Sequence, residues 1–191
     1  MKIYMAGPLF TKGEIDFNVA LKNELASFGH HIHLPQEHEP REKTARAIFE
    51  ADVEGIDWAD LVLANMDGPD PDSGTCWECG YAYKKKPVII YRTDFRNIVD
   101  YTGALVNLML TESSDKSIGA PFKSVHDLAV ELDTQIRQLF RDKEQDCKHF
   151  WVGTEVDAIS IKEGYTGFNF NLKCIQCGQT RTDSKTFNGV I

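Results

Sequence analysis

Short apolar runs separated by stretches with helical periodicity constrain this chain more than any other feature. Lys2–Ala6, Leu61–Ala64 and Val88–Tyr91 have the length and composition of buried strands, and His31–Leu34 forms a further short candidate. Between them, Phe17, Ala20, Leu21, Leu25 and Phe28 recur at helical spacing over roughly Ile15–Phe28, with Gly29 as the stop. Ala45, Ile48, Phe49, Val53 and Ile56 repeat the pattern, a third helix is expected at about Thr75–Lys85, and Val125, Leu128, Ala129, Leu132, Ile136 and Leu139 mark the last. Strand and helix in alternation predict a doubly wound α/β fold, flavodoxin-like or Rossmann-like, with a parallel sheet and right-handed crossovers.

The polar run Arg141–Asp146 reads as a boundary, giving an α/β domain over 1–141 and a small β-rich segment over 142–191. That segment is too short to hold a core without a staple. Cys147-x-His149 and Cys174-x-x-Cys177 supply four soft or borderline ligands in two close pairs, the set a tetrahedral structural zinc needs, so a zinc ribbon is expected there. Four protein ligands leave no position for water, which makes the expected metal structural; no organic cofactor is indicated. Unligated thiols beside a surface histidine are the alternative, because the first pair is spaced more tightly than usual. His30, His31, His33, His38 and His126 show no ligand spacing and read as surface or strand residues.

A net charge of −8 repels polyanions, so the bulk electrostatics oppose nucleic-acid and anionic-membrane binding and favour a small ligand. Within 142–191, six Lys and Arg against seven Asp and Glu leave no basic stripe for a nucleic-acid-binding ribbon. No segment approaches membrane-spanning length, Met1–Ala6 enters a strand at once, and five cysteines make an odd set; a cytoplasmic protein is expected.

In open parallel sheets the ligand site lies beyond the carboxyl ends of the strands. The loop after the first strand, carrying Ala6, Gly7 and Phe10, and the Asp- and Pro-rich loop Asn65–Gly74 are therefore the places to look. Asp72 and Glu78 straddle a loop-to-helix junction and could bring two carboxylates to one pocket, one as nucleophile and one serving the leaving group. Each has a plainer reading: Thr75-Cys76-Trp77-Glu78 fits a capping box, and Asp72 fits a turn. Phe10 suits stacking on a planar base or packing in the core equally well.

Ile3-Tyr4-Met5-Ala6-Gly7-Pro8-Leu9-Phe10, taken with Asp72-Ser73-Gly74-Thr75-Cys76-Trp77-Glu78-Cys79-Gly80-Tyr81-Ala82, resembles the nucleoside 2-deoxyribosyltransferase family over about residues 1–110. The resemblance implies a pentosyltransferase that moves 2-deoxyribose between nucleobases, with Glu78 forming a covalent deoxyribosyl ester, Asp72 attending the base and Tyr4 holding Glu78. It further implies that Asp52 binds substrate. Asn107-Leu108-Met109 resembles the segment that a neighbouring subunit lends to the site, so Asn107 and Met109 would contact substrate in a homo-oligomer. The partners the resemblance implies are a 2'-deoxynucleoside and a free nucleobase.

Cys76 and Cys79, which flank Glu78, depart from the family pattern and read as small buried apolar residues. Two rival functions stand beside transfer: hydrolysis of 2'-deoxynucleoside 5'-monophosphates on the same fold, and a non-catalytic nucleotide-binding or adaptor module. Against the first, the loop after the first strand lacks the Ser and Arg that would hold a phosphate.

Overall fold

The computed structural model describes residues 1–94, 105–145, 151–160, 165–174 and 179–188. The chain forms two compact units, Met1–Arg137 and Gln138–Ile191. In the first, five parallel strands lie in the order β2-β1-β3-β4-β5: β1 (Lys2–Ala6), β2 (His31–His33), β3 (Leu61–Asn65), β4 (Val88–Arg92) and β5 (Lys116–Gly119). This is the flavodoxin-like order, and its direction of winding reverses between β1 and β3.

β3 and β4 are buried at every position, which explains why they read as continuous apolar runs rather than as alternating patterns. Because side chains alternate across a strand, each run feeds two layers. On one face Tyr4, Ala6, Val62, Ala64 and Ile90 pack with Ile56 of α2 (Ala45–Trp58) and Cys79 and Ala82 of α3 (Ser73–Ala82). The intervening residues Ile3, Met5, Leu61, Leu63 and Ile89 supply the opposite face, where α1 (Lys12–Ser27) contributes Leu21 and Leu25. Each such side chain, fully buried, contributes about 1.5–3 kcal/mol of transfer free energy.

Helix ends follow local chemistry. α1 begins three residues earlier than the apolar periodicity alone implies, because Thr11 caps it and Glu14 closes a capping box on the Thr11 N–H at 2.7 Å. It ends in a Schellman turn: Gly29, at φ +89°, donates to the Ala26 carbonyl, and His30 to that of Leu25. The end of α2 is closed from a distance by the Lys86 ammonium, which donates to the carbonyls of Ile56, Asp57 and Ala59. α4 (Leu108–Ser113) precedes β5, and α5 (Val125–Gln145) continues through the polar residues expected to end it.

One histidine, His30, corrects the sequence reading, whereas His126 lies on the surface as expected. His30 is buried and pairs with Asp133 at 2.7 Å, while His126 meets Glu24 at 2.8 Å. Both partners are about a hundred residues away, beyond the reach of local patterning.

In the second unit, β6 (Trp151–Ser160), β7 (Tyr165–Cys174) and β8 (Thr180–Asn188) form an antiparallel meander. Cys174 is buried at the end of β7, and its N–H donates to the Gln179 carbonyl at 2.8 Å. Cys147, His149 and Cys177 lie outside the described residues, so the expected zinc set falls largely outside them too. Among the described residues no group of three or more His, Cys, Asp or Glu could hold a metal, and no helix is long and apolar enough to cross a membrane.

Candidate active site

The reversal between β1 and β3 opens a crevice at the carboxyl ends of those strands, where open α/β sheets bind ligands. Gly7 suits the close approach of these strand ends: a Cβ there would lie 3.0 Å from the Asn65 Cβ, tighter than ordinary contact, so a side chain would push the two segments apart by a few tenths of an ångström. Beyond them lies a cavity of about 530 Å³, lined by Pro8, Phe10, Phe17, Asn65, Asp72 and neighbouring acidic residues. This is within the usual size range of small-molecule sites. Phe10 is 74 % exposed at its edge, which removes the core-packing alternative for that ring. Ala6 is buried at the end of β1.

The floor of the cavity is clamped from two sides. The buried Arg92, on the last position of β4, donates to the carbonyls of Met66, Gly68 and Asp94. In return the Asp67 carboxylate accepts from the Thr93 N–H and hydroxyl, both at 2.6 Å, and from the Asp94 N–H at 2.7 Å. Neither Asp67 nor Arg92 was singled out from sequence; the only local signal was a charged residue ending an apolar strand. The clamp fixes the loop that leads to Asp72.

Asp72 is the N-cap of α3, and its Oδ2 accepts from the Thr75 N–H at 2.9 Å and from the Thr75 hydroxyl at 3.2 Å. This corrects the capping-box reading of Thr75–Glu78. With the helix starting at Ser73, Glu78 lies in the second turn, past the backbone N–H groups that need a cap. Its partner is instead Tyr4 of β1, whose hydroxyl donates to Glu78 Oε1 at 2.6 Å. That short bond is the length expected when one member carries charge.

Three acidic groups converge on this contact. Burial, with the nearby Asp52 and Asp72 carboxylates, pushes the Glu78 carboxyl up to about 7 against the opposing hydrogen bond from Tyr4. The Tyr4 phenol is held far above its ordinary range by burial and by the carboxylates of Glu78 and Asp52. Asp52, half-buried on α2, is itself raised by burial, with the Tyr4 hydroxyl opposing. Tyr4, Asp52, Asp72 and Glu78 thus come together from β1, α2 and the two ends of one loop-to-helix junction.

Asn107 and Met109 do not join them within one chain. Asn107 caps α4 through its Oδ1, which accepts from the Met109 N–H at 2.9 Å. Met109 is 71 % exposed and borders a separate depression with Cys76, Gly80 and Tyr83. Cys79 is buried in the core and pushed up to about 12 by that burial, which fits the small-hydrophobe reading.

A flavodoxin-like sheet with a buried, tyrosine-held carboxylate at its switch point defines the class. Residues 3–109, more than half of the chain, match the family described as nucleoside 2-deoxyribosyltransferase, and the chain belongs to that family. Among solved structures, the 2-deoxyribosyltransferase of the psychrotolerant bacterium Bacillus psychrosaccharolyticus is 29% identical, with a TM-score of 0.53 over 68% of this chain and 90% of that one. A conserved protein from Enterococcus faecalis V583 is 27% identical, with a TM-score of 0.57 over 71% and 98% of the two chains. The CMP N-glycosidase of Clostridium botulinum, at 18% identity and a TM-score of 0.50 over 70% and 99%, shares the fold. A comparison with curated proteins gave no match.

Proposed function

We propose that this protein transfers 2-deoxyribose between nucleobases, with Glu78 as the nucleophile. The observation that carries this reading is the Glu78 carboxyl, raised to about 7 and held at 2.6 Å by a buried phenol beside the switch-point crevice. With Tyr4 on Oε1, the carboxylate is oriented and its other oxygen is available to attack C1' of the sugar. The C1'–N bond breaks through an oxocarbenium-like transition state, while Asp72 hydrogen-bonds the departing base and helps to protonate it by relaying a proton from solvent. The resulting deoxyribosyl ester is displaced from the same face by a second base, giving net retention and regenerating the carboxylate.

In this reading Asp52 binds the sugar side of the substrate, and Ala6, Gly7 and Phe10 border the base. Asn107 and Met109 act on a neighbouring subunit's substrate, which accounts for their exposure on a single chain. A structural zinc held by Cys147, His149, Cys174 and Cys177 staples the second unit, a reading supported by the spacing of the two ligand pairs and the buried position of Cys174.

Hydrolysis of a nucleoside monophosphate is the rival. Among the described residues, the charged ones lining the cavity are Glu14, Asp67, Asp70, Asp72 and Asp94, a set that repels a phosphate and favours an uncharged nucleoside. The deciding experiment is incubation with deoxyinosine, with and without cytosine. Deoxycytidine formed only in the presence of cytosine supports transfer; hypoxanthine and free deoxyribose formed at the same rate without it would replace transfer by hydrolysis.

A further inference from the structure

His33 takes no part in the reaction just described, yet it sits against the residue that holds the nucleophile. β2 pairs with β1 so that His33 is in register with Tyr4, and the two side chains emerge on the same face of the sheet. Their rings stack with centroids 5.4 Å apart and planes 19° apart. His38 stacks on His33 at 4.0 Å and 20°, and the Trp58 ring tilts against it at 6.2 Å. Over this face runs α2, which presents Asp52 to the Tyr4 hydroxyl and, one turn later, Gly55 to His33. The fit is close: a Cβ on Gly55 would lie 2.5 Å from His33 Nε2.

That nitrogen is buried without a hydrogen-bond partner, so a proton on it would be stranded. Burial and the neighbouring His38 accordingly push His33 down to about 4, and near neutral pH the ring contributes shape rather than charge. Shape matters here because the single proton of the Tyr4 hydroxyl faces two carboxyl groups, Glu78 and Asp52. A modest swing of the phenol would exchange one acceptor for the other. We propose that His33 is a positioning residue whose ring, backed by His38 and seated on Gly55, fixes the Tyr4 phenol in the orientation that donates to Glu78. This inference rests on Glu78 being the nucleophile.

The test separates the two ideas. Tyr4 from β1, Asp52 from α2 and Asp72 at the cap of α3 face Glu78, and of these only the Tyr4 hydrogen bond holds its carboxyl down. The Glu78 carboxyl should be titrated by carbon NMR in protein labelled at glutamate, its resonance being the one lost in Glu78→Gln. In His33→Ala the midpoint should rise by about one unit, and kcat near neutral pH should fall up to about tenfold while KM stays within about twofold. His33→Phe, which keeps a stacking ring and lacks the imidazole nitrogens, should restore both. Gly55→Ala, which drives a methyl group into the ring, should behave as His33→Ala does and takes its place if that variant does not fold. A Glu78 midpoint unchanged in the Ala variants, or one that His33→Phe fails to restore, would overturn the proposal. Absence of base exchange in the wild-type protein would instead remove the nucleophile reading, while the titration would still decide the role of His33.

Discussion

Replacing Glu78 by glutamine should abolish activity and, above neutral pH, make the protein more stable. The Glu78 carboxyl is raised from 4.5 to about 7, chiefly by burial. A group whose folded-state pKa lies above its unfolded value favours the folded state fully below the unfolded pKa and loses that advantage as pH rises through the folded one. Relative to a neutral side chain, the folded protein therefore carries no penalty near pH 4, and a growing one between 4.5 and 7. At about 1.4 kcal/mol per unit, the full penalty above pH 7 is on the order of 3 kcal/mol. Glu78→Gln removes the titrating group and keeps an oxygen to accept from Tyr4. At pH 8 the first transition in urea should shift to higher denaturant by roughly that free energy, while at pH 4 the variant and the parent should unfold together. A pH-independent difference, or a variant less stable than the parent at pH 8, would refute the account of how the site raises this carboxyl.

Asp72→Asn should keep the helix cap, since asparagine caps as well as aspartate, and lose the carboxylate that relays a proton to the base; base exchange should fall at least about a hundredfold with the unfolding midpoint little changed, and retained exchange would exclude Asp72 from that role. Mixing inactive Glu78→Ala with inactive Asn107→Ala should recover some activity, because a hybrid dimer contains one intact composite site; no recovery despite demonstrated subunit exchange would return Asn107 to its own chain. Purified protein should hold about one zinc per chain, lost on Cys174→Ser and kept on Cys76→Ser; a metal-free native protein would remove the zinc assignment.

The sheet was legible in the sequence because burial on both faces writes itself as unbroken apolar runs, as in Leu61–Asn65 and Val88–Arg92. β5 was not, because Lys116-Ser117-Ile118-Gly119 is an edge strand with a single buried position, and its residues carry no apolar signature. The start of α1 was written in Thr11 and Glu14 but preceded the apolar periodicity that drew attention to the helix. Long-range polar contacts left no trace at all. His30 with Asp133, Lys86 with the end of α2, and the reciprocal hold of Arg92 and Asp67 join residues whose spacing in sequence carries no pattern. The last of these shapes the cavity, so part of what makes the site is invisible to motif reading.

The misread cap shows why position along a helix decides what a carboxylate can do. Had α3 begun after Thr75, Glu78 would have lain in the first turn, where backbone N–H groups and the helix dipole stabilise an ionised carboxylate and hold its pKa low. The structure gives that place to Asp72, which spends Oδ2 on the Thr75 N–H and hydroxyl. Moved into the second turn, Glu78 gains neither an unpaired backbone N–H nor much of the dipole, which falls off within one turn. Burial is then opposed by one phenol alone, and the carboxyl settles near 7, where both its protonated and its ionised forms are accessible at neutral pH. In the proposed reaction a carboxyl near 7 would be a more basic nucleophile than one held far lower by a cap, with its ionised form still present at neutral pH. The two carboxylates of one short segment thus differ by their place on the helix: Asp72 caps α3 and lines the cavity, while Glu78, which caps nothing, is held by Tyr4.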